Sequence, residues 1–281
     1  MAKLWTEPVT TALRADGLRV ADLDTSATPG FLGGKQLGKS MLPERGEVLS
    51  VLQEKLFAHG RTGGNRRVLL ILQGMDTAGK GGIVRHVIGS VDPQGVDHAS
   101  FGVPTEEERA HDFLWRIRKR LPAAGQLGVF DRSHYEDVLV VRVHGLVPQS
   151  EWEQRYDRIN AFEKEVADSG TTIVKVAMFV SLDEQKRRLR ARLERPDKYW
   201  KFNPADITER AFWPEYQKAY QAVLDRTNTD YAPWYVLPAD QKWYSRLAVT
   251  ELLIDALTGL NLDWPGANFD VAEQLRLLDQ S

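Results

Sequence analysis

One short segment has glycines and charges spaced to hold phosphate: Gly74-Met75-Asp76-Thr77-Ala78-Gly79-Lys80. It fits the first seven positions of the Walker-type loop G-x-x-x-x-G-K-[ST]. Gly74 and Gly79 let the backbone N–H groups turn inward, with Thr77 and Ala78 between them, and a helix starting here adds partial positive charge. Lys80 is placed to reach the outer phosphates. The eighth position, which ordinarily offers Mg²⁺ a hydroxyl, is Gly81. A hard cation bridging phosphates needs oxygen ligands. Asp76 is therefore expected to serve as one, directly or through water. The departure disfavours a routine ATPase built on the usual loop.

A second acidic group follows the short apolar run Leu127–Phe130: Asp131-Arg132-Ser133-His134-Tyr135-Glu136-Asp137. An Asp at the end of a strand, paired with a phosphate loop, is where a Walker-B-like carboxylate sits. Asp131 and Asp76 are expected to share a Mg²⁺, or one of them to take a proton. Arg132 offers a planar fork to phosphate. His134, Glu136 and Asp137 are alternatives for metal or base duty, although His134 and Glu136 read more simply as polar residues capping the next helix.

The third group runs from Lys186 to Lys201, with eight basic residues in sixteen positions against Glu194 and Asp197. Arg188, Arg192 and Arg195 lie at i, i+4 and i+7, on one helical face. A charge run is usually a solvated face. With few acids interspersed this one repels itself, so phosphates or a polyanion are expected to meet it. RNA is the competing partner, but no RNA-binding motif accompanies the stripe.

The elements that must carry these groups follow from periodicity. Arg67–Gln73 and Thr171–Ser181 are continuous apolar runs, as in buried parallel strands. Leu127–Phe130 is a short third strand, and a fourth begins at Tyr235. Helices are expected over 47–59, 81–88, 106–121, 151–168, 183–194 and 245–257. Strands alternating with helices imply βαβ units and a mostly parallel sheet covered on both faces. The Gly/Lys/Pro-rich stretch 30–46 suggests an N-terminal arm over 1–45, a catalytic domain over 46–263 with a lid at about 183–212, and a tail over 264–281.

Composition bounds the rest. Of 281 residues, 42% are hydrophobic and 27% charged, as in globular chains. Lys and Arg number 37 against 39 Asp and Glu, a formal net charge of −2, which gives no global attraction to nucleic acid or membrane. Cysteine is absent, which excludes disulfides and a catalytic thiol. Neither a membrane-length apolar run nor a secretory h-region is evident, so a cytoplasmic protein is expected.

Five blocks in order resemble the polyphosphate kinase 2 family from about Gly38 to Leu262: LLILQGMDTAGKGG, SFGVPTEEERAHDFLWRIRKRLP, FDRSHYEDVLVVRVHG, RLRARLERPDKYWKF and APWYVLPADQKWYSRL. The resemblance implies a three-layer α/β/α P-loop kinase fold with a parallel sheet and a helical lid. It also implies Mg²⁺-dependent transfer between inorganic polyphosphate and nucleotides by a homo-oligomer. It puts Asp76, Lys80, Asp131 and Arg132 on catalytic motifs, and Arg188, Arg192, Lys198 and Lys201 in the lid. The HYEDVLVVRVHG block is similar to the branch acting on nucleoside mono- and diphosphates. A long polyanion needs an extended basic track, and Arg116, Arg118, Lys119 and Arg120 are expected to extend it. Gly102–Glu107 would either shape the nucleotide's entrance or simply start a helix, with Thr105 as cap and Glu108 at N3. Phosphohistidine on His134 is not needed, because one direct transfer suffices. The alternatives are an ATP-dependent nucleotide or nucleoside kinase of the same fold, and a binding module without turnover.

Overall fold

The computed structural model describes residues 4–281. Five strands form one parallel sheet: β1 (Arg67–Gly74), β2 (Val96–Ser100), β3 (Leu127–Asp131), β4 (Thr171–Phe179) and β5 (Trp234–Pro238). Their spatial order is β2-β3-β1-β4-β5. β1 is central because six residues from Val68 to Gln73 are all buried, which only a strand covered on both faces allows.

The pleat divides those residues between two cores. Val68, Leu70 and Leu72 pack with α1 (Lys35–Arg61), α2 (Lys80–His86) and α6 (Lys242–Gly259). Leu69 and Ile71 pack with α3 (Gln149–Asp168) and α5 (Trp213–Thr227). The result is the expected α/β/α sandwich. Helix α4 (Leu182–Leu193) follows β4 and opens a lid of short helical turns through Phe212. A terminal helix, α7 (Val271–Leu278), is exposed. Among the described residues no helix is long and apolar enough to cross a membrane.

Three elements differ from expectation. Helix α1 starts at Lys35, inside the stretch read as an arm. Its glycines act as contact points: a Cβ on Gly38 would lie 2.3 Å from the Trp243 ring of α6. Nor is the segment around Leu13 and Ala15 loose. The Val236 amide donates to the Leu13 carbonyl (2.7 Å) and that of Ala15 to Trp234 (3.1 Å), which covers the β5 edge. Strand β2 carries no apolar signal in the sequence, because VDHAS is polar and buries only Ala99. The helix expected over 106–121 is two single turns, Glu106–Arg109 and Trp115–Arg118. The Thr105–Glu108 capping box is present, and Asp112 breaks the run by accepting from the Leu114 amide (3.0 Å).

Candidate active site

The phosphate loop joins the end of β1 to the start of α2. At Gly74 any Cβ would lie 2.7 Å from the Met178 carbonyl of β4, so the loop can leave the sheet only through glycine. Gly79 turns the chain into α2 at φ +120°, and Thr77 stands at +66°. Thr77 Oγ1 is buried without a partner among the described residues. An unsatisfied hydroxyl in such a loop suits an oxygen-rich anion. Lys80, the first residue of α2, is buried and donates across the loop to the Gly74 carbonyl. Burial pulls its ammonium below the ordinary lysine value, and Arg132 adds to this, against Asp131 and Asp76.

Asp131 ends β3 in register with Leu72 of β1 and Ser100 of β2. Its carbonyl accepts from the Phe101 amide (3.0 Å). Arg132 takes a left-handed φ of +64°, which carries its side chain back to the loop, where Nη2 donates to Asp76 Oδ1 (3.1 Å). Such a backbone is uncommon outside glycine and is held here by the Arg132 amide donating to Leu72 O (3.0 Å). The sheet thus brings Asp76, Lys80, Asp131 and Arg132 to one mouth. Glu136 joins them, fixed by Gln73 Nε2 (2.9 Å). Asp76 and Asp131 are half-buried, and the described residues contain no cluster of three or more candidate metal ligands. Carboxylates are the ligand type that a hard divalent cation takes.

His134 and Asp137 are placed otherwise. His134 is fully buried and lies 3.1 Å from Glu163 Oε1, which removes it from metal, base or phosphohistidine duty. Burial pulls its pKa down, so the neutral ring donates from Nε2. Glu163 also accepts from Tyr135 OH (2.8 Å) and from Lys175 Nζ (2.6 Å), a lysine buried in the middle of β4. The apolar run around Lys175 conceals this residue in the sequence. The network pins the turn that follows Asp131. Burial pushes the Asp137 carboxyl up to about 6, although Arg155 (2.8 Å) and Arg116 (4.0 Å) face it.

Two cavities meet at Asp76, Arg132 and Asp206. The smaller, about 290 Å³, is walled by Phe101, Val103, Leu139, Val140, Tyr216 and Tyr220. The larger, about 980 Å³, runs from the phosphate loop under the lid, past Arg187, Arg192, Arg195, Lys198, Trp200 and Lys201. Its carboxylates are Asp76, Asp131 and Asp206, far outnumbered by cations. The lid cations are less bare than the sequence implies: Arg192 pairs with Asp206 (3.3 Å), and Arg195 and Lys198 both pair with Asp197 (2.9 and 3.0 Å).

Two expectations about basic residues are corrected. Arg188 is not an open member of the lid stripe. Its guanidinium is buried and donates to the carbonyls of Thr77 (2.8 Å), Ala78 (3.1 Å), Ala239 (2.6 Å) and Asp240 (2.9 Å), and Nε donates to Glu184 (2.6 Å). It clamps the phosphate loop to the end of β5. Arg188→Gln is expected to lower the unfolding free energy by about 2–4 kcal/mol, because charge-assisted donors leave buried carbonyls unpaired. Arg192→Gln, partly exposed, should cost under about 1 kcal/mol. Urea unfolding compares them, and equal small losses would refute the clamp.

The extended track is the other correction. Arg118 pairs with Glu165 (2.7 Å), Arg120 with Asp97 (3.1 Å), and Lys119 lies over the Trp115 ring. Asp97 is near the start of β2, so Arg120 sits toward the opposite end of the sheet from the loop. Arg116 donates to the Gly102 carbonyl (2.9 Å) and walls the smaller cavity instead.

Comparison with known proteins gives a consistent picture. The sequence model of the polyphosphate kinase 2 family, PPK2, matches residues 38–263. An AMP/ADP-polyphosphate phosphotransferase of Meiothermus ruber is 48% identical over 242 residues, 86% of this chain and 89% of that one. An ADP-polyphosphate phosphotransferase of Rhodopseudomonas palustris is 41% identical over 247 residues, 84% of each chain. The crystal structure of polyphosphate kinase 2 from Arthrobacter aurescens TC1 superposes with a TM-score of 0.96 at 53% identity, covering 99% of this chain and 98% of that one.

Proposed function

Because this chain belongs to the polyphosphate kinase 2 family, we propose that it moves a phosphoryl group between inorganic polyphosphate and AMP or ADP. The observation carrying this reading is the pair of unlike cavities that share Asp76 and Arg132. The basic cavity suits a long polyanion. The smaller one has aromatic and apolar walls with Arg116, Arg132 and the carboxylates Glu136, Asp137 and Glu209 among them, which suits a nucleoside whose polar edges need hydrogen bonds and whose phosphate turns toward the junction.

In the proposed reaction a terminal oxygen of the nucleotide attacks the terminal phosphorus of polyphosphate. The bond from that phosphorus to the bridging oxygen breaks, and the shortened chain leaves with the electron pair. Loop amides and Lys80 hold the transferring group, and Arg132 neutralises charge between donor and acceptor. Mg²⁺, when bound, neutralises phosphate oxygens at the same point, and Asp76 and Asp131 would hold it. No covalent residue is needed. The reverse reaction, from ATP to polyphosphate, uses the same groups. An ATP-dependent kinase would need no basic cavity of this length. We also infer a homo-oligomer working in the cytoplasm, without nucleic acid or membrane as partner.

The direct test is incubation with polyphosphate, AMP or ADP, and Mg²⁺, with the products resolved by chromatography. Formation of ADP or ATP that requires polyphosphate supports the reading; transfer from ATP alone refutes it. A second expectation concerns the metal. Asp131→Asn should raise the Mg²⁺ concentration for half-maximal rate by about tenfold or more, on the scale seen when metal-site carboxylates are altered. An unchanged Mg²⁺ titration would remove Asp131 from the metal.

A further inference from the structure

The segment ahead of α1 reaches the phosphate loop through a chain of hydrogen bonds. Residues 24–29 lie outside the stretch that matches the family model, which starts at residue 38. Asp24 Oδ1 accepts from the Ser26 amide (2.8 Å), which closes a turn against the loop between β5 and α6. There the Asp240 amide donates to the Thr25 carbonyl (3.0 Å), and Thr25 Oγ1 donates to Asp240 Oδ2 (2.8 Å). Gln241 Nε2 donates to Ser26 O (2.9 Å) and Tyr244 OH to Pro29 O (2.7 Å). The segment therefore grips Asp240 through both its backbone and its side chain.

Asp240 is also the fixed point at the root of the lid. Its other oxygen, Oδ1, accepts from the Ser181 amide (2.8 Å), at the junction of β4 and α4. Ser181 caps α4, its Oγ accepting from the Glu184 amide (3.1 Å). Glu184 Oε1 accepts from Arg188 Nε (2.6 Å), and Arg188 Nη2 donates back to the Asp240 carbonyl (2.9 Å), which closes a ring. Arg188 Nη1 holds the carbonyls of Thr77 and Ala78, and Gln185 Nε2 donates to the Asp76 carbonyl (3.2 Å). The ring thus sets the first two turns of α4 and three carbonyls of the phosphate loop in one frame. Thr25 Oγ1 restrains the rotation of the Asp240 carboxylate; without it the Ser181 amide loses an oriented acceptor, and the frame loses one of its supports.

We propose that Asp240 is a positioning residue for phosphoryl transfer and that Thr25 holds it in place, so that the segment before α1 sets the alignment of the phosphate loop from outside the site. This rests on the reading of that loop as the place of transfer. The chemical step is unchanged; what the contact governs is how closely Asp76 and Lys80 keep to the reactive arrangement. A misplacement of about 1 Å costs about a hundredfold in rate, so a bond lost this far from the reacting atoms registers in turnover.

The experiment compares Thr25→Val, which keeps the side-chain shape and removes the hydroxyl, with Thr25→Ser, which keeps the hydroxyl, both in the full chain. Transfer from polyphosphate to AMP or ADP is followed at steady state, at a temperature where each variant is fully folded, together with amide hydrogen exchange over residues 74–80 and 181–188. Thr25→Val is expected to lower kcat about five- to tenfold while the KM values for nucleotide and polyphosphate stay within about twofold, the split produced when alignment rather than ground-state binding is lost. Exchange in both segments should quicken. Thr25→Ser should return kcat and exchange to near wild-type values. Asp240→Ala should show the same split with a larger fall in kcat; if it does not fold, the Thr25 pair decides. An unchanged kcat in Thr25→Val, whatever its stability, would overturn the positioning role, as would Thr25→Ser behaving like Thr25→Val. Wild-type protein that transfers from no polyphosphate would refute the function proposed above, and unchanged exchange in Thr25→Val would then overturn the positioning role by itself.

Discussion

Replacing Lys80 with alanine lowers the rate of phosphoryl transfer by about a hundred- to a thousandfold, with circular dichroism unchanged. Loss of one preorganised donor from a developing oxyanion has a cost on this scale. Lys80 is buried at the first turn of α2, its ammonium bonded to Gly74 O and flanked by Asp76 and Asp131. The side chain is therefore held at the loop before substrate arrives, and burial strengthens its interaction with phosphate. The effect belongs in kcat, since the charge on the transferring group changes most as the bond breaks. Single-turnover kinetics with saturating polyphosphate measure it. A variant keeping more than about a tenth of the rate, one 1.4 kcal/mol step, would refute the assignment.

Glu163→Gln is expected to destabilise the protein by about 3–5 kcal/mol, because it leaves the Lys175 ammonium fully buried without its counter-charge. That is a large share of the roughly 5–15 kcal/mol that holds most domains folded. Glu163 also receives Tyr135 OH and His134 Nε2, so the same change loosens the turn carrying Asp131 and Arg132. Burial alone would raise the Glu163 carboxyl; Lys175 and His134 override it and hold the group below its ordinary value. A carboxyl lowered on folding stabilises above its unfolded pKa and stops doing so as pH falls through the folded one. Wild-type protein should therefore lose this contribution on acidification below the ordinary glutamate range, and Glu163→Gln should show a shallower acid limb. Urea unfolding across pH tests both points. A loss under about 1 kcal/mol at neutral pH would mean that the pair is not ionised as described.

Much of the site is written in contiguous residues. The loop Gly74–Lys80 and the step Phe130–Arg132 each need only a strand end and a turn, both local properties, and both stand where periodicity put them. The apolar run of β1 likewise announces a strand buried on two faces. The sequence alone also carried the family, because five motifs in one order are rarely coincident.

Partners are another matter, because which carboxylate a cation meets depends on chain crossings that no local pattern records. Arg188 and Arg192 are one turn apart on the same helix. The first is buried under the carbonyls of the phosphate loop and the β5 end, while the second faces the basic cavity. Arg118 and Arg120 lie in an obviously basic run, yet Glu165 and Asp97 neutralise them. The chain by itself determines how much charge it has and which turns can bend around phosphate. Only the tertiary structure decides which charges remain unpaired, since pairing is a matter of distance and burial between segments remote in sequence.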